Sequence, residues 1–126
     1  MSRMAVTTTK APEAIGPYSQ AIVSDDWVFC SGQVGIDPAT GELVGGGIAD
    51  ETVRCLDNLS AVLDAAGTSL VHVVKVTAYL TDFGDFGAFN EAYSDYFATE
   101  PPARATIGVA ALPKGARVEV ECIARL

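Results

Sequence analysis

Histidine is almost missing from this sequence: His72 is the only one among 126 residues. Metal sites built from two or more histidines are therefore excluded, and a Ser-His-Asp or Cys-His catalytic group would depend on this one side chain. His72 lies in a run of valines, where a structural role is the simpler interpretation. The glycine-rich fingerprints of dinucleotide and nucleoside triphosphate sites are also missing. We therefore expect neither a bound metal nor a cofactor.

Cysteine is also scarce. The three residues, Cys30, Cys55 and Cys122, are odd in number and widely separated, and no Cys-x-x-Cys occurs. This pattern argues against a disulfide scaffold or a zinc site and favours small, buried, reduced thiols. The sequence has neither a signal peptide nor a run of about 20 apolar residues. We therefore expect a cytoplasmic protein.

Positive charge is in short supply. Eight lysines and arginines stand against 16 aspartates and glutamates, which gives a net charge of −8 and a pI near 4.4. The eight cations are scattered along the chain. An acidic chain without a basic cluster repels nucleic acids and anionic membrane surfaces, so we expect neither as a partner.

The sequence is rich in apolar residues, with 49% hydrophobic and only 19% charged side chains. Its length is typical of one domain, so we interpret residues 1–126 as a single domain. A domain this small buries only about two thirds of the surface of its unfolded chain. The apolar excess therefore indicates that other subunits of an oligomer cover part of the surface.

Hydrophobic periodicity predicts two helices and six strands. The first helix covers 50–66, with Asp50 as its N-cap and Gly67 as a left-handed residue after its last turn. The second helix begins at Asp82 and ends before Pro101. Its predicted stripe consists of Phe83, Phe86, Asn90, Tyr93 and Phe97. The strands are predicted at 4–8, 18–23, 27–33, 73–80, 104–111 and 117–124.

The resulting order, β-β-β-α-β-α-β-β, predicts an α+β fold with a six-stranded sheet and two helices on one face. The short loop 112–116 joins the last two strands, which are expected to form a hairpin. Alternation along the first of these strands then assigns Arg104 and Thr106 to the sheet face away from the helices. Glu119 and Glu121 are assigned to the same face of the neighbouring strand.

Arg104 is the strongest candidate for a binding residue. It follows Pro102-Ala103 on a sparsely charged strand, and its planar guanidinium suits bidentate capture of a small carboxylate. Glu119 is its expected neighbour and is either a structural ion-pair partner or a general acid/base that handles water. From spacing alone, Glu121 is no less suitable.

Further polar positions have both a functional and a structural interpretation. Ser31 and Gly32 either supply a hydroxyl and a backbone N–H to a site or form an ordinary strand end. Tyr18 is either a site residue or a core phenol. Asn90 interrupts the aromatic stripe, so it either lies at an interface or makes a hydrogen bond from the helix to a strand.

Several motifs follow one another along the chain: Ile15-Gly16-Pro17-Tyr18-Ser19-Gln20, Ser31-Gly32-Gln33, Leu56-Asp57-Asn58-Leu59, Phe89-Asn90-Glu91-Ala92-Tyr93, and Pro102-Ala103-Arg104 with Leu112-Pro113-Lys114 and Val118-Glu119-Val120-Glu121. Together they resemble the Rid/YjgF family of reactive-intermediate (enamine/imine) deaminases. The resemblance covers nearly the whole chain, because it begins near Ala11 and extends to the C-terminus.

This resemblance implies a chorismate-mutase-like fold with a mixed sheet, and a homotrimer with sites in clefts between its subunits. It implies cofactor-independent hydrolysis of 2-imino and enamine acids, such as 2-iminobutanoate and 2-iminopropanoate, to 2-keto acids and ammonia. Arg104 matches the family's carboxylate-binding arginine, and Glu119 matches its water-handling glutamate, which ranks Glu119 above Glu121. The residues expected to bind the substrate around them are Tyr18, Ser31, Gly32, Asn90 and Thr106.

The sequence departs from the family pattern at two places. Thr106 stands where the best-known members have a cysteine, and the segment between Asn90 and Arg104 looks shorter than in familiar members. Since water is the nucleophile in the implied reaction, we interpret Thr106 as a change in pocket lining. The shorter segment bears on substrate preference.

Two other functions fit parts of the pattern. A non-catalytic binder of small carboxylates, or a holdase, would use the same Arg104 pocket. Ribonuclease or translation-inhibitor activity, described for some relatives, has little support from an acidic chain whose one histidine lies among valines. The presence of Arg104 favours catalysis.

Overall fold

The structure, a computed structural model, describes residues 2–126. Its strands are β1 (Arg3–Val6), β2 (Ala21–Ser24), β3 (Trp27–Val34), β4 (Val73–Leu80), β5 (Ala103–Gly108) and β6 (Val118–Arg125). Its helices are α1 (Ile48–Ala66) and α2 (Phe86–Ser94), and short 3₁₀ turns cover Leu70–His72, Phe83–Asp85 and Pro113–Gly115. The six strands form one mixed sheet in the order β1-β2-β3-β6-β4-β5. The predicted element order is confirmed.

The first helix agrees with its prediction except at its start. The predicted N-cap, Asp50, is wrong, because the residue that precedes the first turn is Gly47, and Asp50 and Glu51 lie inside that turn. Acidic side chains there interact favourably with the positive end of the helix dipole, so a first-turn aspartate resembles an N-cap in sequence. Gly67 adopts the predicted left-handed conformation, with φ 95° and ψ 21°, and ends the helix.

Both helices pack on one face of the sheet, as predicted, and share one core with it. Leu56, Leu59 and Leu63 of α1 are completely buried there. Val118 and Val120 of β6 point into the same core, since buried and half-buried residues alternate along that strand. Replacing one of these leucines with alanine would cost about 2–5 kcal/mol of folding free energy. Within the described residues, no helix is long and apolar enough to cross a membrane.

The second helix begins later than predicted. Asp82 caps a 3₁₀ turn, in which its Oδ1 accepts the Gly84 N–H at 2.8 Å, and α2 begins only at Phe86. Because a 3₁₀ turn has about three residues per turn, Phe83 leaves the predicted stripe and is half exposed. Phe89, which the predicted stripe omitted, is completely buried.

The predicted hairpin between the last two strands is wrong. β5 pairs in parallel with β4 at the edge of the sheet, and β6 lies between β3 and β4. A helix that crosses over between two strands produces parallel neighbours, and α2 connects β4 to β5 in this way. The loop 112–116 instead contains a 3₁₀ turn, after which the chain returns to the other side of β4.

The strand pairing also corrects the face on which Arg104 lies. Residues paired across a ladder share a face, and Arg104 pairs with Val76, which is completely buried under the helices. Thr106, two residues further, shares this helix face. Glu119 and Glu121 alternate with the buried residues of β6 and lie on the opposite, open face. The prediction that all four share one face is therefore wrong, because alternation alone does not say which face the helices cover.

Candidate functional site

A β-bulge in β3 forms one part of the candidate site. Between Cys30 and Gln33, β3 has one more residue than the opposite stretch of β6. The bulge changes the direction of Ser31 and Gly32 relative to regular alternation. A Cβ added at Gly32 would lie 2.8 Å from the carboxyl carbon of Glu119, so a glycine is needed for this carboxylate to lie against the β3 backbone.

Hydrogen bonds hold the segment before β2 against this bulge. The Ser31 hydroxyl donates to the Ser19 carbonyl at 2.6 Å, and the Ser31 N–H donates to the Gln20 carbonyl at 3.0 Å. Tyr18 is 49% exposed, and its hydroxyl accepts the Ile15 N–H at 3.3 Å. This exposure excludes the interpretation of Tyr18 as a core phenol.

These residues surround a cleft of about 370 Å³, which we call the Glu119 cleft. The predicted site residues in its lining are Tyr18, Ser31, Gly32 and Glu119, and Glu13 and Gln33 contribute two further polar side chains. Its other walls are mainly apolar and include Pro12, Ile15, Val34, Ile36 and Pro113. Apolar walls lower the local dielectric, so charges in the cleft interact more strongly than they would in water.

The structure distinguishes the two glutamates that spacing left equivalent. Burial raises the pKa of the Glu119 carboxyl above its usual value, and repulsion from Glu121 adds to the rise. Glu121 accepts a hydrogen bond from the Tyr79 hydroxyl at 2.8 Å. Among the hydrogen bonds and ion pairs of residues 2–126, none involves the Glu119 side chain. Glu119 thus has a free carboxylate in the cleft, whereas Glu121 has a structural partner.

Arg104 lies on the helix face among neutral groups. Its Nη2 donates to the Asn90 Oδ1 at 2.8 Å, so the predicted helix-to-strand hydrogen bond of Asn90 is confirmed. Its Cζ lies 4.7 Å from the ring centroid of Tyr93, 5.3 Å from that of Phe89 and 5.8 Å from that of Phe86. Cation–π attraction to these rings stabilises the guanidinium without neutralising it. In the part of the chain that the structure describes, no carboxylate forms an ion pair with Arg104.

Two buried hydroxyls on this side, those of Tyr93 and Thr106, have no hydrogen-bond partner among the described residues. Burial raises the pKa of the Tyr93 hydroxyl, while the nearby Arg104 guanidinium opposes the rise. Tyr93, Asn90 and Arg104 line a second cavity of about 340 Å³, which we call the Arg104 cavity. The sequence prediction assigned Tyr93 only to the aromatic stripe. Its spacing of three residues from Asn90 was the available signal, because such residues are neighbours on a helix.

A family model described as Endoribonuclease L-PSP matches residues 8–126 of this chain. The chain belongs to this family. It is the Rid/YjgF family that the ordered motifs indicate, so the resemblance is confirmed.

The Rid/YjgF chain has close relatives with two kinds of name. It is 53% identical to the 2-iminobutanoate/2-iminopropanoate deaminase of Mus musculus, over 97% of this chain and 90% of the relative. The Homo sapiens protein of the same name is 50% identical, over 97% and 89%. A crystal structure from Thermotoga maritima that carries an endoribonuclease name is 51% identical, with a TM-score of 0.95 over 98% of this chain and 97% of that one. The structural match confirms the predicted fold class.

This Rid/YjgF chain brings the predicted site residues together in two groups. The group at the Glu119 cleft consists of Tyr18, Ser31, Gly32 and Glu119. The group on the helix face consists of Asn90, Arg104 and Thr106. The sheet separates the groups, so within one chain Arg104 and Glu119 are not neighbours. The alternative that they form a structural ion pair in one chain is wrong.

The remaining candidate chemistry concerns thiols and metals. Cys30, Cys55 and Cys122 are free and buried, which confirms their prediction as small buried hydrophobes. Burial raises the pKa of the Cys55 thiol well above its usual value, so the thiol stays protonated and is a poor nucleophile or ligand. Across residues 2–126, no group of three or more His, Cys, Asp or Glu side chains could hold a metal ion.

Proposed function

We propose that this protein, a single domain of residues 1–126, is a cofactor-independent cytoplasmic hydrolase that deaminates reactive 2-imino and enamine acids. Its substrates include 2-iminobutanoate and 2-iminopropanoate, and its products are 2-keto acids and ammonia. The names of the mouse and human relatives support the reaction class. The observation that carries the proposal is the Arg104 guanidinium, which is held by a neutral amide and aromatic rings and pairs with no described carboxylate.

Arg104 binds the substrate carboxylate. Asn90 accepts one N–H of the guanidinium. The remaining N–H groups, which we call the free edge of the guanidinium, are available for a bidentate contact with a carboxylate. In a chain with a net charge of −8, this unpaired cation is the local group that attracts a small anion. Fixing the carboxylate also fixes C2, which is the carbon that water attacks.

Glu119 activates the attacking water. Its carboxylate takes a proton from water as the oxygen bonds to the iminium carbon C2 and the C=N electrons move to nitrogen. The carbinolamine nitrogen then takes this proton back, the C–N bond breaks, ammonia leaves, and the hydroxyl proton is released as the keto group forms. A carboxylate with a raised pKa is the better base for this step, which supports Glu119 in the role.

The other predicted residues bind the substrate around these two groups. Tyr18, Ser31 and Gly32 present polar groups at the Glu119 cleft, where they contact the substrate and the water. Thr106 lies two residues from Arg104 on the same face of β5. We assign it to the lining of the shared pocket, where it takes no covalent part because water is the nucleophile.

Two copies of the chain are needed to complete this site, because one chain holds Arg104 and Glu119 on opposite faces of its sheet. We propose a homotrimer in which the Arg104 cavity of one subunit adjoins the Glu119 cleft of the next. Phe29 and Ile107 on the open face are 47% and 44% exposed, and a neighbouring subunit would bury such apolar side chains. Sedimentation equilibrium should give three times the chain mass of 13.1 kDa. A monomer would contradict the shared site.

Subunit mixing tests whether the site is shared. Arg104→Ala and Glu119→Gln should each inactivate the protein. When the two variants are unfolded and refolded together in equal amounts, about one quarter of the interfaces combine an intact Arg104 with an intact Glu119. Activity should return to roughly that fraction of the wild-type value. If one chain supplied both groups to each site, the mixture would stay inactive.

The reaction itself is tested by release of 2-keto acid from imines that threonine dehydratase generates in the assay. The wild-type protein should accelerate conversion of 2-iminobutanoate to 2-ketobutanoate, and Arg104→Ala should lose this acceleration. Arg3→Ala, which removes an exposed arginine of β1, is the matched control and should behave like the wild type. Full imine hydrolysis by Arg104→Ala would show that the proposal is wrong.

A non-catalytic carboxylate binder or holdase would use Arg104 without needing Glu119. Glu119→Gln distinguishes the two functions. A binder would be unaffected by this substitution, whereas the deaminase should lose turnover and keep its affinity for 2-ketobutanoate.

RNA cleavage is a second candidate, because the family model and the Thermotoga maritima relative carry endoribonuclease names. The acidic chain disfavours it, since phosphate binding needs clustered cations. Ribonuclease activity that disappears with an additional purification step would exclude this candidate. Activity that co-purifies with the protein and is lost in Arg104→Ala would support it.

A further inference from the structure

The hydroxyl of Tyr93 is a buried polar group to which the proposed mechanism gives no role. The side chain is only 5% exposed, and its hydroxyl has no hydrogen-bond partner within the described residues. Buried polar atoms are nearly always bonded, so an unpaired one calls for an explanation. Tyr93 lines the Arg104 cavity together with Asn90, which places it beside the group proposed to bind the substrate.

The guanidinium of Arg104 is a complementary group beside this hydroxyl, close enough to oppose the rise of its pKa. Its Cζ lies 4.7 Å from the Tyr93 ring centroid, and of its N–H groups only those of Nη2 have a described partner, Asn90. A phenol oxygen accepts hydrogen bonds and guanidinium N–H groups donate them, so the two groups bond when their side chains turn toward each other. Hydrogen bonds at such sites are often poorly aligned before the substrate binds and tighten in the complex.

We infer that Tyr93 is a positioning residue for Arg104, provided that Arg104 has its proposed role in carboxylate binding. The Tyr93 ring packs against one side of the guanidinium. The Tyr93 oxygen accepts one of its N–H groups when a carboxylate is bound to the free edge of the guanidinium. Asn90 holds another N–H, so the plane and the direction of the guanidinium are both fixed. A guanidinium that is already oriented before binding loses less conformational entropy when it binds an anion.

Tyr93→Phe tests the inference, because it removes the hydroxyl and keeps the ring. Calorimetric titration of the assembled protein compares two probes, 2-ketobutanoate and the neutral 2-ketobutanamide. Loss of a hydrogen bond to a charged group should weaken 2-ketobutanoate binding about 10-fold and leave binding of the amide unchanged. Tyr96→Phe is the matched control, since the Tyr96 hydroxyl donates to Asp57 at 2.7 Å and does not line the Arg104 cavity. It should change neither affinity.

The Arg104→Lys variant shows whether Tyr93→Phe acts through the orientation of Arg104 or through a general effect on the fold. Lysine has no planar fork to orient, so adding Tyr93→Phe to this variant should cause no further loss of affinity. The inference would be overturned if Tyr93→Phe bound 2-ketobutanoate as tightly as the wild type, or if it bound both probes equally more weakly. It would also be overturned if Tyr93→Phe weakened 2-ketobutanoate binding by the same factor in the wild type and in Arg104→Lys. It would also be overturned if the wild type did not bind 2-ketobutanoate. A wild type that binds 2-ketobutanoate but does not hydrolyse imines would overturn only the proposed function.

Discussion

The Nη2 of Arg104 donates a hydrogen bond of 2.8 Å to the Oδ1 of Asn90, which is an uncharged acceptor. An aspartate at this position would hold the guanidinium equally well but would neutralise it. The amide therefore orients the arginine and leaves its positive charge available to a ligand. The proposed binding of a substrate carboxylate by Arg104 requires such an uncharged partner.

Asn90→Asp should therefore weaken binding of the anionic substrate. The new carboxylate accepts the same N–H but competes with the substrate carboxylate, so KM should rise by about 10-fold or more, with little loss of thermal stability. The measurement is the KM for imine hydrolysis together with the affinity for 2-ketobutanoate. Ala88→Asp, which adds the same charge at an exposed position of α2, is the control. An unchanged KM in Asn90→Asp would contradict carboxylate binding at Arg104.

The element order was predictable from sequence because it depends on local patterns. Periodicity located both helices, and Gly67 indicated where α1 ends. The pairing of β5 was not predictable in this way. β5 is an edge strand with no fully buried residue, so the alternation around Arg104 does not point to either face of the sheet. Only its parallel pairing with β4, a contact between distant segments, determines that face.

The residues of the candidate site can be proposed from the sequence, but their arrangement in space cannot. Asn90 and Arg104 are polar residues in apolar surroundings, which is a pattern that a sequence displays directly. The choice between Glu119 and Glu121 depends on a hydrogen bond from Tyr79, which lies on another strand. Spacing along β6 contains no information about that partner, and it contains none about a second subunit.

The pH dependence of turnover should report the Glu119 carboxyl. Burial and then Glu121 raise its pKa, so the proton-accepting carboxylate is present above this raised pKa and is lost as the pH falls through it. Activity should therefore decline as the pH falls through a pKa that is higher than that of an unperturbed glutamate. Glu121→Gln removes one cause of the rise and should move the acidic limb of kcat/KM to lower pH. A limb that stays in place or moves upward would show that Glu119 is not the titrating base.

Gly32→Ala should reduce activity by displacing the Glu119 carboxylate. The added Cβ would lie 2.8 Å from the Glu119 carboxyl carbon, so the side chain must move away. A displacement of about 1 Å at a reacting group costs on the order of 100-fold in rate, and we expect a loss of that size in kcat/KM. Gly45→Ala is the matched control, since a Cβ there meets no atom within 4 Å. Equal activity of the two variants would contradict the placement of Glu119 at the reacting carbon.

Thr106→Val should separate pocket lining from chemistry on the Arg104 side. The Thr106 Oγ1 is buried without a partner among residues 2–126, and valine has nearly the same shape without the hydroxyl. Removing an unpaired buried hydroxyl should stabilise the fold by about 1 kcal/mol, which thermal unfolding would detect as an increase in Tm of a few degrees. Because water is the proposed nucleophile, kcat should be unchanged in Thr106→Val and also in Thr106→Cys. A large loss of kcat in Thr106→Val with retention in Thr106→Cys would mean that a proton-donating group at this position takes part in the reaction, and that Thr106 does more than line the pocket.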